Sequence, residues 1–252
     1  MIAVTSLALE ARIARGPGIA VVSDHASRLD SSLRQAVSRG AAAIISFGVA
    51  GGLAPDLVPG DWIVASGVWT SEAYFPADPT WAKRLLALLP RAAHLDIAGA
   101  DAPLVYPAQK RALHGRSGAA VVDTESHIAA RTAGKYRIPF AACRVVLDPA
   151  EEALPPAAEV GLRDDGSADV LAVLMSVARQ PKQLWALVRI AYHAAVAEAA
   201  LRQGRRFLGV ALACPQFNAL AEPASALDRS LGTRGLHPAS NYLVPSSVSD
   251  AE

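Results

Sequence analysis

Cysteine is scarce, with Cys143 and Cys214 the only two in 252 residues. They could pair, but a chain of this size with so few thiols is not a disulfide-stapled scaffold. Lysine is nearly as rare, at Lys83, Lys110, Lys135 and Lys182, and arginine supplies the other positive charges. Charged residues make up only 19% and the formal net charge is +1. A non-specific nucleic-acid binder needs a basic excess to neutralise phosphates, so that class is excluded. No apolar stretch reaches the roughly 18 uninterrupted residues of a spanning helix. The opening MIAVTSLALEARIARG has no basic leader or small-residue cleavage site and reads as no signal peptide. A cytoplasmic protein is expected, still able to touch a membrane surface. The histidines lack paired metal-ligand spacing, so no metal is expected. GxSxG, GxGxxG and the phosphate loop GxxxxGK[ST] are all absent.

What is present is apolar. Hydrophobic residues make up 52%, enough for one large, well-cored domain and too many for a disordered chain. Short apolar runs alternate with helical patterns. Strands are expected at Ile2–Ser6, Ile19–Ser23, Ala41–Phe47, Asp61–Val68, Ala119–Asp123 and Phe140–Leu147. Leu29, Leu33 and Val37 recur every four residues and predict a helix over 27–39, stopped by Gly40. Further helices are expected at Thr80–Leu89, before Pro90, and Glu125–Tyr136. The alternation implies an α/β domain with a buried, mainly parallel sheet. Residues 169–206 read as two long helices divided by Pro181 and decorated by Arg179, Lys182, Arg189, Arg202, Arg205 and Arg206. They either pack on the sheet with a solvated basic face or rest on anionic lipid. The chain to residue 209 reads as the domain, and 210–252 as a poorly ordered tail.

Four constellations could carry chemistry. In SFGVAGGLAPDLVPGDWIVAS (46–66) a buried strand runs into a loop with Gly48, Gly51 and Gly52, which either turns the chain or lets backbone approach a ligand. In VVDTESHIAA (121–130) Asp123 or Thr124 caps a helix, or Glu125 sits at a strand's carboxyl end, with two oxygens to grip neighbouring hydroxyls. In CRVVLDPAEEALPP (143–156) Asp148 either initiates a turn or serves as an acid at a pocket lip. In TSLALEARIAR (5–15) Glu10, Arg12 and Arg15 either form a solvated helix start, or orient water and hold an anion. Cys143 lies in an apolar strand and reads as core packing.

Together, in this order, the blocks resemble the nucleoside phosphorylase and nucleosidase superfamily, most specifically through GVAGGLAPDLVPGDWIVAS. Within it the nearest resemblance is to the hopanoid-associated phosphorylases, through LALEARIARGPG, DTESHIAA, DPAEEALPP and the helices around Pro181. The resemblance implies a three-layer α/β/α sandwich with a mixed, partly barrel-like central sheet, assembled as a homo-oligomer. It implies cleavage of a purine N-glycosidic bond, with adenine removed from adenosylhopane and phosphate or water as the nucleophile. No cofactor is implied beyond inorganic phosphate as a co-substrate. By position, Asp148 matches the acid at purine N7, Glu125 the ribose carboxylate and Glu10 the carboxylate near the nucleophile. Gly51 and Gly52 match the loop beside the sugar, with Val49 and Thr124 lining it and Arg144 in the strand before the acid. Arg12, Arg15 and Gly48 are the candidate phosphate site. The chain departs from the family pattern at Thr124, where methionine is common, at Leu147, where serine is usual, and at SDHAS (23–27), where glycines are usual. Two alternatives therefore stand beside the hopanoid reading. One is a methylthioadenosine/S-adenosylhomocysteine-type nucleosidase, the other a non-catalytic nucleoside-binding protein.

Overall fold

A computed structural model describes residues 1–24, 26–154 and 184–218. The expected helix over 169–180, Pro181, and the tail from 219 onward lie outside the described residues.

The strands are β1 (Ile2–Val4), β2 (Ala20–Val22), β3 (Ile44–Gly52), β4 (Trp62–Trp69), β5 (Tyr74–Pro76), β6 (Ala93–Gly99), β7 (Val121–Asp123) and β8 (Phe140–Asp148). The helices are α1 (Ala8–Ala14), α2 (Ala26–Ser38), α3 (Pro79–Leu88), α4 (Pro107–Ser117), α5 (Ser126–Tyr136), α6 (Leu184–Leu208) and the short α7 (Pro215–Asn218). Sequence periodicity locates most of these. It misses β5, β6 and α4, and it ends β3 too early, because the glycines at 48–52 continue the strand rather than leaving it as a loop.

All strands join one mixed sheet. β1 pairs in parallel with β2 and with the first half of β3. β3 then changes neighbours: beyond β1, its glycine end pairs antiparallel with β7. Its other edge carries β8 in parallel over nearly its full length. β7 continues to β6, β6 to β4, and β4 antiparallel to β8. The path β3–β7–β6–β4–β8 thus returns to β3 and closes a small barrel, with β1 and β2 as an open wing and β5 hairpinned onto β4. The sheet is mainly parallel, as expected, through β1–β2, β1–β3, β3–β8, β4–β6 and β6–β7, and antiparallel pairings at β3–β7, β4–β8 and β4–β5 make it mixed.

Both faces of the strands are buried, which is why they read as unbroken apolar runs. Ile45, Phe47, Val64, Cys143 and Val145 face α1, α3 and α6, meeting Ile13, Trp81, Leu85, Ala197 and Leu201. Ile44, Ile63, Ile97, Ala142 and Val146 face α2 and α5, meeting Leu29, Leu33, Ala129 and Ala133. This is the expected α/β/α layering around a partly closed sheet.

The start of the expected tail belongs to the fold. Ala211, Leu212, Ala213 and Cys214 are buried, and Trp81 Nε1 donates to the Leu212 carbonyl at 2.9 Å. Ala211, Leu212 and Ala213 take left-handed backbone at φ 50°, 48° and 57°, so packing there overrides local preference. Cys143 and Cys214 are both free and buried. α6 satisfies the length and composition of a membrane-crossing helix. It packs as a domain helix, with Ala197, Leu201 and Leu208 in the core and Gly204 making room for the Trp62 indole.

Candidate active site

A cavity of about 210 Å³ opens where β3, β7 and β8 end. Its walls include Val49, Gly51, Asp123, Thr124, Glu125, Leu147 and Asp148, with Ser6 and Leu7 on one side and Ala102–Leu104 as a lip. Glu125 and Asp148, separated by 23 positions in sequence, therefore share one cavity.

A β-bulge sets the Asp148 end. Ala50 pairs with Val146, but Gly51 pairs with Asp148, so Leu147 is an extra residue in β8. In a regular strand, neighbours point to opposite faces; the bulge lets Leu147 and Asp148 both reach the cavity. The glycines give the clearance. A Cβ at Gly52 would lie 3.0 Å from the Asp148 carbonyl oxygen, and one at Gly51 would touch the Asp148 carboxylate at 3.5 Å.

Asp148 is buried and pairs with an ammonium that sequence reasoning did not single out. Lys110, on α4, is fully buried; its Nζ donates to Asp148 Oδ2, and also to the Pro149 carbonyl at 2.7 Å and the Glu152 carbonyl at 3.1 Å. Burial pushes the Asp148 carboxyl above its ordinary value, while Lys110 opposes the rise.

At the other end, Asp123 organises the turn into α5. Its Oδ1 accepts from the Glu125 and Ser126 amides at 3.1 and 2.7 Å, the capping role expected of an acid there. Its Oδ2 accepts from Ser126 Oγ and lies 2.7 Å from Arg144 Nε. Arg144 is fully buried and lies behind the cavity wall rather than lining it. Its Nη2 donates to Ser46 Oγ at 2.6 Å and to Glu125 Oε2 at 3.2 Å, and its Nη1 donates to the Val49 carbonyl at 3.3 Å. Thr124 donates its hydroxyl to Glu125 Oε1. Each Glu125 oxygen thus has one protein partner and one remaining acceptor site. Burial pushes the Glu125 carboxyl up to about 7, with Asp123 and Glu10 adding to the rise and Arg144 and Thr124 opposing it.

Glu10 lies behind the wall, fully buried. Its Oε2 accepts from the Ser6 and Leu7 amides, both at 2.9 Å, and from Ser6 Oγ at 3.1 Å. Its Oε1 accepts from the Val49 amide at 2.7 Å. The carboxylate caps α1 and ties it to β3, and a side chain at Gly48 would overlap it. Arg12 and Arg15 are exposed and do not line the cavity. The expected phosphate grouping of Arg12, Arg15 and Gly48 is therefore not assembled here, because Gly48 faces Glu10 and the arginines point to solvent. Asp24 of SDHAS also lies elsewhere, accepting from Ser32 Oγ at 2.6 Å. Among the described residues no cluster suits a metal ion.

Comparison with known proteins agrees with this architecture. No curated protein matches the chain. Among solved structures, the futalosine hydrolase of Helicobacter pylori superposes with a TM-score of 0.58 at 14% identity, over 82% of this chain and 94% of that one. The 5′-methylthioadenosine/S-adenosylhomocysteine nucleosidase of the same organism, with butyl-thio-DADMe-Immucillin-A, gives 0.57 at 14% identity, over 82% and 94%. The Campylobacter jejuni nucleosidase of that name gives 0.54 at 13%, over 80% and 98%. At such identities the likeness shows a shared fold. A family profile described as the phosphorylase superfamily matches residues 26–187, a range that contains all five strands of the barrel. The chain therefore belongs to the phosphorylase superfamily, whose chemistry is the cleavage of nucleoside N-glycosidic bonds.

Proposed function

We propose that this protein releases adenine from a purine nucleoside carrying a large apolar 5′ substituent, adenosylhopane, with Asp148 at the base and Glu125 at the ribose. The observation that carries the proposal is the shared cavity of Glu125 and Asp148, with Gly51 between them in its lining. As the C1′–N9 bond breaks, its electron pair passes to the base and positive charge grows on the sugar. A proton from Asp148 to N7 neutralises the departing base, help worth about 10²–10⁴-fold. Burial favours the protonated carboxyl that this step needs. Glu125 holds the ribose hydroxyls, fixing C1′ for attack.

Water is the nucleophile we favour over phosphate. Among the described residues lining the cavity there is no lysine or arginine, and the buried Arg144 and Lys110 are taken up by Glu125 and Asp148, so no cation there faces a phosphate. Glu10 serves by fixing Val49 and Ser6 rather than by touching the substrate. At about 210 Å³ the cavity is smaller than the roughly 300–1,000 Å³ of drug-sized sites. A base and sugar fill it, and a polycyclic tail extends outside. Leu184, Trp185, Val188 and Tyr192 form an exposed apolar stripe on α6, with Trp185 83% exposed, and support a membrane surface as the tail's location. The basic decoration of α6 gives less support, since Arg189 pairs with Glu152 and Arg202 with Glu198. A homo-oligomer at the inner membrane face is part of the same reading.

The test is incubation of the purified full chain with adenosylhopane or methylthioadenosine, with and without phosphate, reading adenine and sugar product by mass. Adenine from adenosylhopane at an equal rate without phosphate, lost about 10²–10⁴-fold in Asp148→Asn, is expected. Adenine only from methylthioadenosine would move the substrate to a soluble nucleoside, the class acted on by the solved nucleosidases. Adenine from neither would overturn the proposal.

A further inference from the structure

Lys110 is the least expected charged group in the molecule. α4 has no continuous apolar face, Leu113 alone packing against a small core cluster, and Lys110 is its one fully buried residue. An ammonium has three donors, and here all three are used inside the protein, on Asp148 Oδ2, the Pro149 carbonyl and the Glu152 carbonyl. Burying an ammonium costs several kcal/mol unless a charge partner and further acceptors compensate. A purely structural tie between α4 and the turn after β8 would need only a neutral donor. The compensating anion is the same carboxylate that faces the base.

We propose that Lys110 is a positioning and charge-compensating residue for Asp148, fixing which carboxyl oxygen meets the base and stabilising the carboxylate left when the proton departs. This rests on the glycosidic-cleavage reading above. Lys110 occupies Oδ2, which leaves Oδ1 for the substrate. Before bond cleavage the pair is a neutral carboxyl beside an ammonium. As C1′–N9 breaks, the bonding electrons go to the base, the Oδ1 proton goes to N7, and Asp148 becomes a carboxylate. Lys110 keeps its own proton throughout and pairs with the new charge, so Asp148 is a stronger acid in its presence. The other charged groups facing Asp148 are Glu152, from the turn after β8, and His193, from α6; Arg189 of α6 pairs with Glu152 at 2.9 Å. Lys110 alone among them donates to the carboxylate.

The test uses Lys110→Gln, which keeps amide donors toward the Pro149 and Glu152 carbonyls and removes the charge, beside Lys110→Arg. The readout is the pH profile of kcat for adenine release. Activity needs the Asp148 proton, so its alkaline limb follows the Asp148 titration. Loss of an adjacent cation raises a carboxyl's proton affinity by about 1–3 pH units. Lys110→Gln is expected to lower plateau kcat by roughly ten- to a hundredfold, part of what general acid catalysis supplies, and to move the alkaline limb upward. Lys110→Arg is expected to return the limb toward the wild-type position. A lower kcat with an unmoved limb would reduce Lys110 to a structural tie and overturn the proposal.

A second measurement needs neither variant nor substrate. In wild-type protein labelled at aspartate carboxyl carbons and lysine ε-nitrogens, the Lys110 Nζ resonance is expected to respond to the Asp148 titration through their shared hydrogen bond. A Lys110 resonance that does not respond to it would overturn the proposal even if adenine is released. Adenine release failing while the Lys110 resonance follows Asp148 would instead count against the cleavage reading.

Discussion

Replacing Glu125 by Gln is expected to stabilise the protein at neutral and alkaline pH. Burial holds this carboxyl at about 7, against 4.5 in an ordinary setting, although Arg144 lies beside it. The native state therefore keeps a proton that the unfolded chain has already released. Between pH 4.5 and 7 the folded form binds more protons than the unfolded one, so stability falls as pH rises through that window. At about 1.4 kcal/mol per unit, the whole interval is worth about 3 kcal/mol, most of it between pH 5 and pH 8. Glutamine has nearly the shape of the protonated acid and cannot ionise. Arg144 would still have Asp123 and the Ser46 hydroxyl as partners. The assay is urea unfolding of both proteins at pH 5 and pH 8. The variant-minus-wild-type stability is expected to rise by about 2–3 kcal/mol between the two, while other titrating groups cancel in the difference. A difference that stays constant, or falls toward pH 8, would refute the reasoning and show that Arg144 keeps Glu125 ionised. The same variant is expected to lose about ten- to a hundredfold in kcat/KM, the worth of one charge-assisted hydrogen bond to a ribose hydroxyl.

Gly48→Ala is expected to cost about 1–3 kcal/mol, because its methyl overlaps the Glu10 carboxylate and strains the link between α1 and β3; urea unfolding measures it. Arg137, the exposed residue ending α5, has φ 53°, so Arg137→Gly is expected to gain about 0.5–1 kcal/mol in the same assay. Burial pushes the Cys143 thiol up to about 12, and Cys214 is also buried. Neither is expected to react with a thiol reagent at pH 8 in the native protein, and both should react in denaturant; rapid native labelling would contradict this packing. Trp185→Ser is expected to weaken co-sedimentation with anionic lipid vesicles without changing turnover of a soluble nucleoside.

How much of this was legible in the sequence depends on which way each residue faces. β3, β4 and β8 are apolar on both faces, so they read as strands from composition alone. β6, AHLDIAG, does not, because Asp96 accepts from Trp69 Nε1 at 2.9 Å and from Tyr74 Oη at 3.0 Å on the barrel exterior. Polar residues that satisfy one another across strands leave no periodic signal. α4 is invisible for the opposite reason: with Lys110 its only buried residue, it lacks an apolar stripe, and the lysine looks like any surface cation. Among the candidate site residues, Asp148, Glu125, Val49, Thr124 and Gly51 meet at one cavity. Arg12 and Arg15 do not, since a motif fixes position along the chain but not the rotation of a short helix. Asp123 is legible as a helix cap but not as a partner of Arg144, and Ser46 and Ser126 give no signal because serine near turns is expected everywhere.

The closed ring of strands makes the site a fixed caliper. Its two jaws, the end of β8 and the turn after β7, hang from the two opposite edges of β3, where Gly51 pairs with both strands. The gap between Glu125 and Asp148 is thus set by strand pairing. Any drift in what the protein accepts must come through the lip at Ala102–Leu104, where residues can change without unpicking the ring.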